Sequence, residues 1–339
     1  MAILERSYPT DGLDTLSISV VEQSPPGEGA VVDVVLLASP SAALLVRLEC
    51  PALPDAGGGA DSTLVDLGAG RGEVRVRYRP SEAVLSTGVP ASLRLGVPPG
   101  LRILSLENPR GSVSLRAVPC ERVSLFAARG DVSVSQASGF LVSSTGRGDV
   151  RLNGFDGDAV LTTGAGLIAA EHCSGRLRLH TGEGDMVLTD FEGGLLSLHS
   201  RRGSISVNRA NAEFLRLSSG EGSARLCALS SSALHAELER GDCLLVARLA
   251  PGEHSIAAKH GQVTVELADP CSLRFDLATG AGSIQSALSG VQVGRRGRPS
   301  ARGRRLVGSS GAGDVRLTVD VGRGDVVLRR APDDGTAAA

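Results

Sequence analysis

The chain has 339 residues, a formal net charge of −2 and 2% aromatic residues, with no tryptophan. Near-neutral charge gives no global attraction to nucleic acid or membrane, and so few rings leave no stacking platform for bases or sugars. Lysine occurs once, at Lys259, which nearly excludes lysine-based covalent chemistry.

The N-terminal segment 1–20 carries Glu5, Asp11 and Asp14 and lacks an apolar secretory core or an Arg/Ser-rich transit character. No apolar run reaches the ~18 residues of a membrane helix. An intracellular protein with no cleaved secretory signal is therefore expected. Strand-like runs follow over 16–21, 30–37 and 44–48, and residues 56–60 form a glycine-rich loop. Residues 1–61 read as a β-rich cap, because an uncapped stack of strands exposes a sheet edge.

From residue 62 a twelve-residue frame takes over: apolar-x-apolar-x-x-Gly-x-Gly-Asp/Ser-apolar-x-apolar. Its first match spans 65–76, and clear copies span 177–188 and 215–226. The frame glycine falls at Gly111, Gly130, Gly148, Gly166, Gly184, Gly203, Gly222, Gly241, Gly261, Gly282, Gly313 and Gly324. Most steps are 18 to 21 residues, the period of a solenoid of two short strands per rung. With that glycine as zero, positions −7 and −5 read Leu104/Leu106, Leu177/Leu179 and Leu215/Leu217. Positions +2 and +4 read Val113/Leu115, Val150/Leu152 and Ile205/Val207. Alternation of period two buries one face of each strand. Polar residues such as Arg178, Ser197 and Ser218 lie between them, facing water. The zero glycine marks a turn that requires positive φ.

The regular step fails near the C-terminus. A step of 31 residues hides the insert 294–305, where Arg295, Arg296, Arg298, Arg302, Arg304 and Arg305 crowd together. An acidic protein, an anionic lipid or RNA would be the natural partner of such an insert. The following step of 11 suggests a shortened final rung that closes the far end. Residues 331–339 read as a disordered tail.

Several shorter patterns have structural explanations within the frame. Four Arg-Gly-Asp triplets, at 129–131, 147–149, 240–242 and 323–325, follow from a variable −1 position and Asp at +1, where it caps backbone amides. Aspartates on adjacent rungs could in principle hold calcium, but Ser204, Ser223, Ser283 and Leu167 interrupt the ladder. His180 and His199 share position −4 on neighbouring rungs and should lie side by side without a third metal ligand. The cysteines at 50, 120, 173, 227, 243 and 271 form no CxxC and read as reduced thiols. Almost no long loops stand between rungs, so there is nothing to build a catalytic cleft, and no nucleophile–base spacing is evident. No catalytic residue, metal ligand or cofactor is assigned, and the chain is not expected to be an enzyme.

The segment 93–115, Leu-Arg-Leu-Gly-Val-Pro-Pro-Gly-Leu-Arg-Ile-Leu-Ser-Leu-Glu-Asn-Pro-Arg-Gly-Ser-Val-Ser-Leu, resembles the adhesin-like β-solenoid domain of unknown function widespread in bacteria. In that family a Val-Pro-x-Gly segment leads into Gly-Asp-Val/Ile-x-Val rungs, and the later rungs here fit it through Leu328. The resemblance covers 62–330 and implies a β-solenoid without established catalytic residues. The resulting expectation is an all-β, single-stranded, right-handed β-solenoid capped at both ends, over 62–330. It would act as a non-enzymatic structural or protein-interaction scaffold, a subunit of a larger assembly. The alternatives are a self-polymerising solenoid of bactofilin type and an exported adhesin.

Overall fold

A computed structural model describes residues 2–9, 14–20, 32–41, 43–50, 63–66, 73–78, 91–268, 272–288, 292–294 and 303–331. Among these residues the fold is all-β, with no helix, and the strands wind as a β-solenoid. The chain divides into two compact units, Met1–Cys173 and Ser174–Ala339.

The first unit contains β1 (Ala2–Pro9), β2 (Thr15–Val20), β3 (Val32–Ala38), β4 (Ala43–Cys50), β5 (Thr63–Asp66), β6 (Glu73–Tyr78) and β7 (Ala91–Val97). β8 (Ile103–Arg110), β9 (Val113–Arg116), β10 (Pro119–Arg129), β11 (Val132–Arg147) and β12 (Val150–Ala165) follow. β13 (Ile168–Glu183) includes the boundary. One parallel face runs β6, β2, β8, β10, then the C-terminal halves of β11 and β12. The other runs β7, β3, β9, then the N-terminal halves of β11 and β12. Alternation places Leu104, Leu106, Val113 and Leu115 at 0–1% exposure between the faces. Burying one such leucine contributes about 1.5–3 kcal/mol.

The stacking order differs from the chain order. The rung made by β2 and β3 lies between the rung of β6 and β7 and the rung of β8 and β9. Part of the stretch 1–61, read from sequence as a cap, is thus an inner rung. Its remaining strands β4 and β1 extend the β7 edge in antiparallel fashion. The frame match at 65–76 is not a stacked rung either, because β5 pairs antiparallel with β6 as a hairpin. Strand–glycine–strand patterns encode both a solenoid corner and a hairpin, and local sequence does not separate them.

The second unit contains β14 (Met186–Arg202), β15 (Ile205–Glu221), β16 (Ala224–Arg240), β17 (Cys243–Leu249), β18 (Gly252–His260) and β19 (Val263–Leu267). β20 (Leu273–Ala281), β21 (Ile284–Ala287), β22 (Gln292–Gly294), β23 (Arg304–Ser310), β24 (Val315–Arg323) and β25 (Val326–Arg330) complete the chain order. Here too the last rung in sequence is an inner rung. β24 pairs with β18 on one side and β20 on the other, and β25 lies likewise between β19 and β21. β23 then covers β20 in antiparallel register, and β22 pairs with β23. The step of 11 therefore does not mark a shortened closing rung. Gly324 is the zero glycine of a full rung, whereas Gly313 sits in the turn leading to β24.

The zero position is closed to every side chain. Gly148 has φ +146°, and a Cβ there would stand 2.2 Å from the Gly130 carbonyl oxygen; Gly324 has φ +143° and the same conflict, at 2.0 Å, with Gly261. These contacts also fix the stacking order, since Gly282 abuts Gly324, which abuts Gly261. Inside the corner, the −3 side chains satisfy the carbonyls that the turn strands. Thr145 donates to Gly130 O at 3.0 Å, Thr163 to Gly148 O at 3.0 Å and Thr279 to Gly324 O at 2.8 Å. Asn108 donates to both Gly111 O and Val32 O. At +6 the opposite corner adopts left-handed backbone at Ala117, Gln136, His172, Asp190, Arg209 and Ala228, with φ between +50° and +56°, and at Gly154 with φ +64°.

Candidate interaction surface

The aspartate that follows the zero glycine is used by the fold. Asp131 accepts the N–H of Asp149 at 2.9 Å, and Asp149 accepts that of Leu167 at 2.9 Å. Asp242 accepts the Gln262 amide at 2.8 Å, and Asp325 the Ser283 amide at 2.7 Å. The Asp325 carboxyl is held below its ordinary range first by that amide and then by the Ser283 hydroxyl. The aspartates of all four Arg-Gly-Asp triplets are thus engaged in joining neighbouring rungs. Arg151 also bridges Asp149 at 2.7 Å and Asp131 at 3.5 Å, which places a cation where calcium would have to sit.

His180 and His199 stack with ring centroids 4.7 Å apart and planes within 3°, as their shared frame position implies. Burial lowers the His180 pKa, with further lowering from His199 and Arg201. Among the described residues, no group of three or more His, Cys, Asp or Glu side chains is disposed to hold a metal.

The frame also brings together groups that the spacing analysis passed over. His235 and Ser255 both occupy −6 on consecutive rungs and contact through Nδ1 and Oγ at 2.6 Å, while His235 Nε2 meets Glu237 at 2.9 Å. His235 and Glu237 are exposed and Ser255 is half-buried on the outer strand face. The backbone around Ser255 is committed to pairing with β16 and β24, so no free amide pair stands ready for an oxyanion. A groove of 620 Å³ crosses the same face of the second unit, lined by His199, Arg201, Glu237, Glu239, Lys259 and Asp320 among others. Its charges include the Lys259–Glu239 pair at 2.5 Å.

Three thiols, Cys120, Cys173 and Cys243, are buried and free, with burial pushing them up to about 11, about 11 and about 12. They are weak nucleophiles at neutral pH. His254 replaces leucine at a core-facing −7 position. It is 2% exposed, Nε2 meets the Ala250 carbonyl at 3.0 Å, Nδ1 has no partner, and burial lowers its pKa.

Of the arginines singled out in the insert, Arg295, Arg296, Arg298 and Arg302 lie outside the described residues. Arg304 and Arg305 open β23 and are exposed. Arg305 is not available as a free docking cation, because its guanidinium clasps both Asp276 oxygens, with Nε to Oδ1 at 2.7 Å. The pattern recurs elsewhere: Arg102–Glu121, Arg202–Glu183, Arg209–Asp190, Arg240–Glu221, Arg316–Glu253 and Arg329–Glu266 all join adjacent rungs. Each exposed pair contributes little stability but neutralises a ladder.

The strand order and glycine corners make each unit a β-solenoid. Residues 171–329 match the family model described as Toastrack DUF4097, in agreement with the resemblance carried by the frame. No curated protein matches the chain in sequence. A solved structure of a candidate cell adhesion protein from Clostridium sporogenes matches with 8% identity over 97% of this chain and 99% of that chain, at a TM-score of 0.18. No helix among the described residues is long and apolar enough to cross a membrane.

Proposed function

We propose that the protein is a non-enzymatic interaction scaffold that holds another protein within a larger assembly. The observation that carries this reading is the shortness of the corners. β11 and β12 are separated only by Gly148 and Asp149, and β15 and β16 only by Gly222 and Ser223. Among the described residues such corners leave regular strand faces without long loops from which to build a reactive cleft, and regular faces suit protein contact. The Toastrack match over 171–329 supports the same reading.

Self-polymerisation is the weaker alternative, because antiparallel β4 and β1 extend one edge and β23 covers β20. An exported adhesin is weaker still, since the triplet aspartates are engaged by the fold. Free buried thiols favour a reducing, intracellular compartment, cytoplasmic or mitochondrial. In this reading the six arginines between Arg295 and Arg305 form a secondary contact for an acidic partner, although Arg305 is already paired.

The test is purification of the native protein under mild conditions, followed by quantitative mass spectrometry of what accompanies it. A stoichiometric companion protein is the expected result. A solitary chain, or turnover of a substrate by the purified protein, would overturn the proposal.

A further inference from the structure

The first unit carries an outer face that sets exposed rings beside arginines; Phe214 of the second unit is more exposed, at 57%, but its cross-strand neighbours are Leu195 and Ala233. The chain has only six phenylalanines, yet two of them, Phe126 and Phe140, reach this face on adjacent strands β10 and β11. Phe126 is 47% exposed and Ile103, on β8, is 42% exposed. Val142 and Val160, paired in register on β11 and β12, are half-buried beside them. Arg122 stands 5.1 Å over the Phe140 ring.

At the corner that ends this face, the −1 position places Arg129 opposite Arg147. Strand neighbours lie about 4.8 Å apart, and like charges directly opposite one another repel. Elsewhere this repulsion is removed: at the same −1 position in the second unit, Arg202 meets Glu183 and Arg240 meets Glu221. Arg129 and Arg147 are exposed and have no acidic partner among the described residues, and the nearest aspartates, Asp131 and Asp149, are already held by Arg151 and by backbone amides.

We propose that this face docks an extended acidic segment of another protein, with an apolar side chain set against Phe126 and carboxylates on Arg129 and Arg147. Exposed aromatics beside arginine are the composition of interface hot spots, and the guanidinium fork matches a carboxylate. The positive ladder is short, ending at Ala165 in the next register position, and within the face Glu107 stands opposite Phe126 and Asp158 opposite Phe140. A nucleic acid would need a longer cationic track without those acids. The inference rests on the scaffold reading and locates its contact.

The test uses the full chain and a fluorescein-labelled dodecapeptide of alternating Glu and Leu, read by fluorescence anisotropy. Binding is expected, weakened at least about tenfold by Phe126→Ser and by the double change Arg129→Ala/Arg147→Ala, with Arg202→Ala unchanged. The double variant should melt no lower than the wild type, because it removes like-charge repulsion, so lost binding would not reflect unfolding. Undiminished binding by both variants, equal binding of a Lys/Leu peptide, or tighter binding of a uridine dodecamer would each overturn the proposal. Native purification separates the two claims. A companion protein retained by both variants overturns this surface and leaves the scaffold standing. A wild-type chain with no companion overturns the scaffold reading itself.

Discussion

The zero glycines combine a left-handed backbone with contact against the preceding rung, so their replacement has no cheap relaxation. Gly324→Ala is expected to destabilise by about 3 kcal/mol or more, measured by chemical denaturation, because its Cβ would meet the Gly261 backbone at 2.0 Å. His254 gives a pH signature. Burial lowers its folded pKa below 6.5, so the unfolded chain takes up a proton first as pH falls. Stability should be full above about pH 6.5 and decline from there towards the folded pKa. Melting temperatures at pH 8 and pH 5 test this, and His254→Leu should flatten much of the difference, with His180 contributing in the same sense. The sequence made the zero corner plain because only glycine fits there. The +6 corner was hidden: Ala117, Gln136, His172, Asp190, Arg209 and Ala228 share a left-handed backbone and no chemistry, and Gly154 alone carried a signal. Exposure of Phe126 was present in the frame, at an outer −4 position, but a ring there reads as polar-face noise until its neighbours are known.

At the level of elements, the strands of the regular rungs were legible, whereas β1, β22 and β23, which lie outside the frame, and the order of rungs were not. Every rung offers the same alternation and the same glycine, so any rung could stack on any other by local pattern alone. The choice is made by contacts between residues 42 and 63 apart, such as Ser283 on Asp325 and Arg316 on Glu253. Intercalation has a testable consequence. A chain ending after Ser310 lacks β24 and β25, so β18 and β20 lose their shared partner. Hydrogen exchange should then show lost protection through β18–β21, whereas removal of residues 332–339 should leave β18–β25 protected. Retained protection in the first truncation would show that the outer rung can close directly on β18. Non-local pairing of this kind also predicts slow folding, since loop closure precedes the contacts that reward it.

For the whole molecule, the repeat describes how faces are built and says little about what they touch. The insert between Arg295 and Arg305 drew attention because it interrupts the period, yet the surface with unbalanced charge and exposed rings lies within regular rungs of the first unit. Like-charge stacking became visible only once register placed Arg129 opposite Arg147. The charged pairs across rungs, being exposed, should matter modestly: Arg209→Ala should cost no more than about 1 kcal/mol in thermal or chemical unfolding. The central claim, that the protein works by holding a partner, is tested most directly by weighing it as isolated from its source, by mass photometry in mild buffer. The account expects a discrete species heavier than the 34.7 kDa chain and containing a second protein. A population consisting only of the 34.7 kDa monomer, or an unbounded ladder of its multiples, would contradict it.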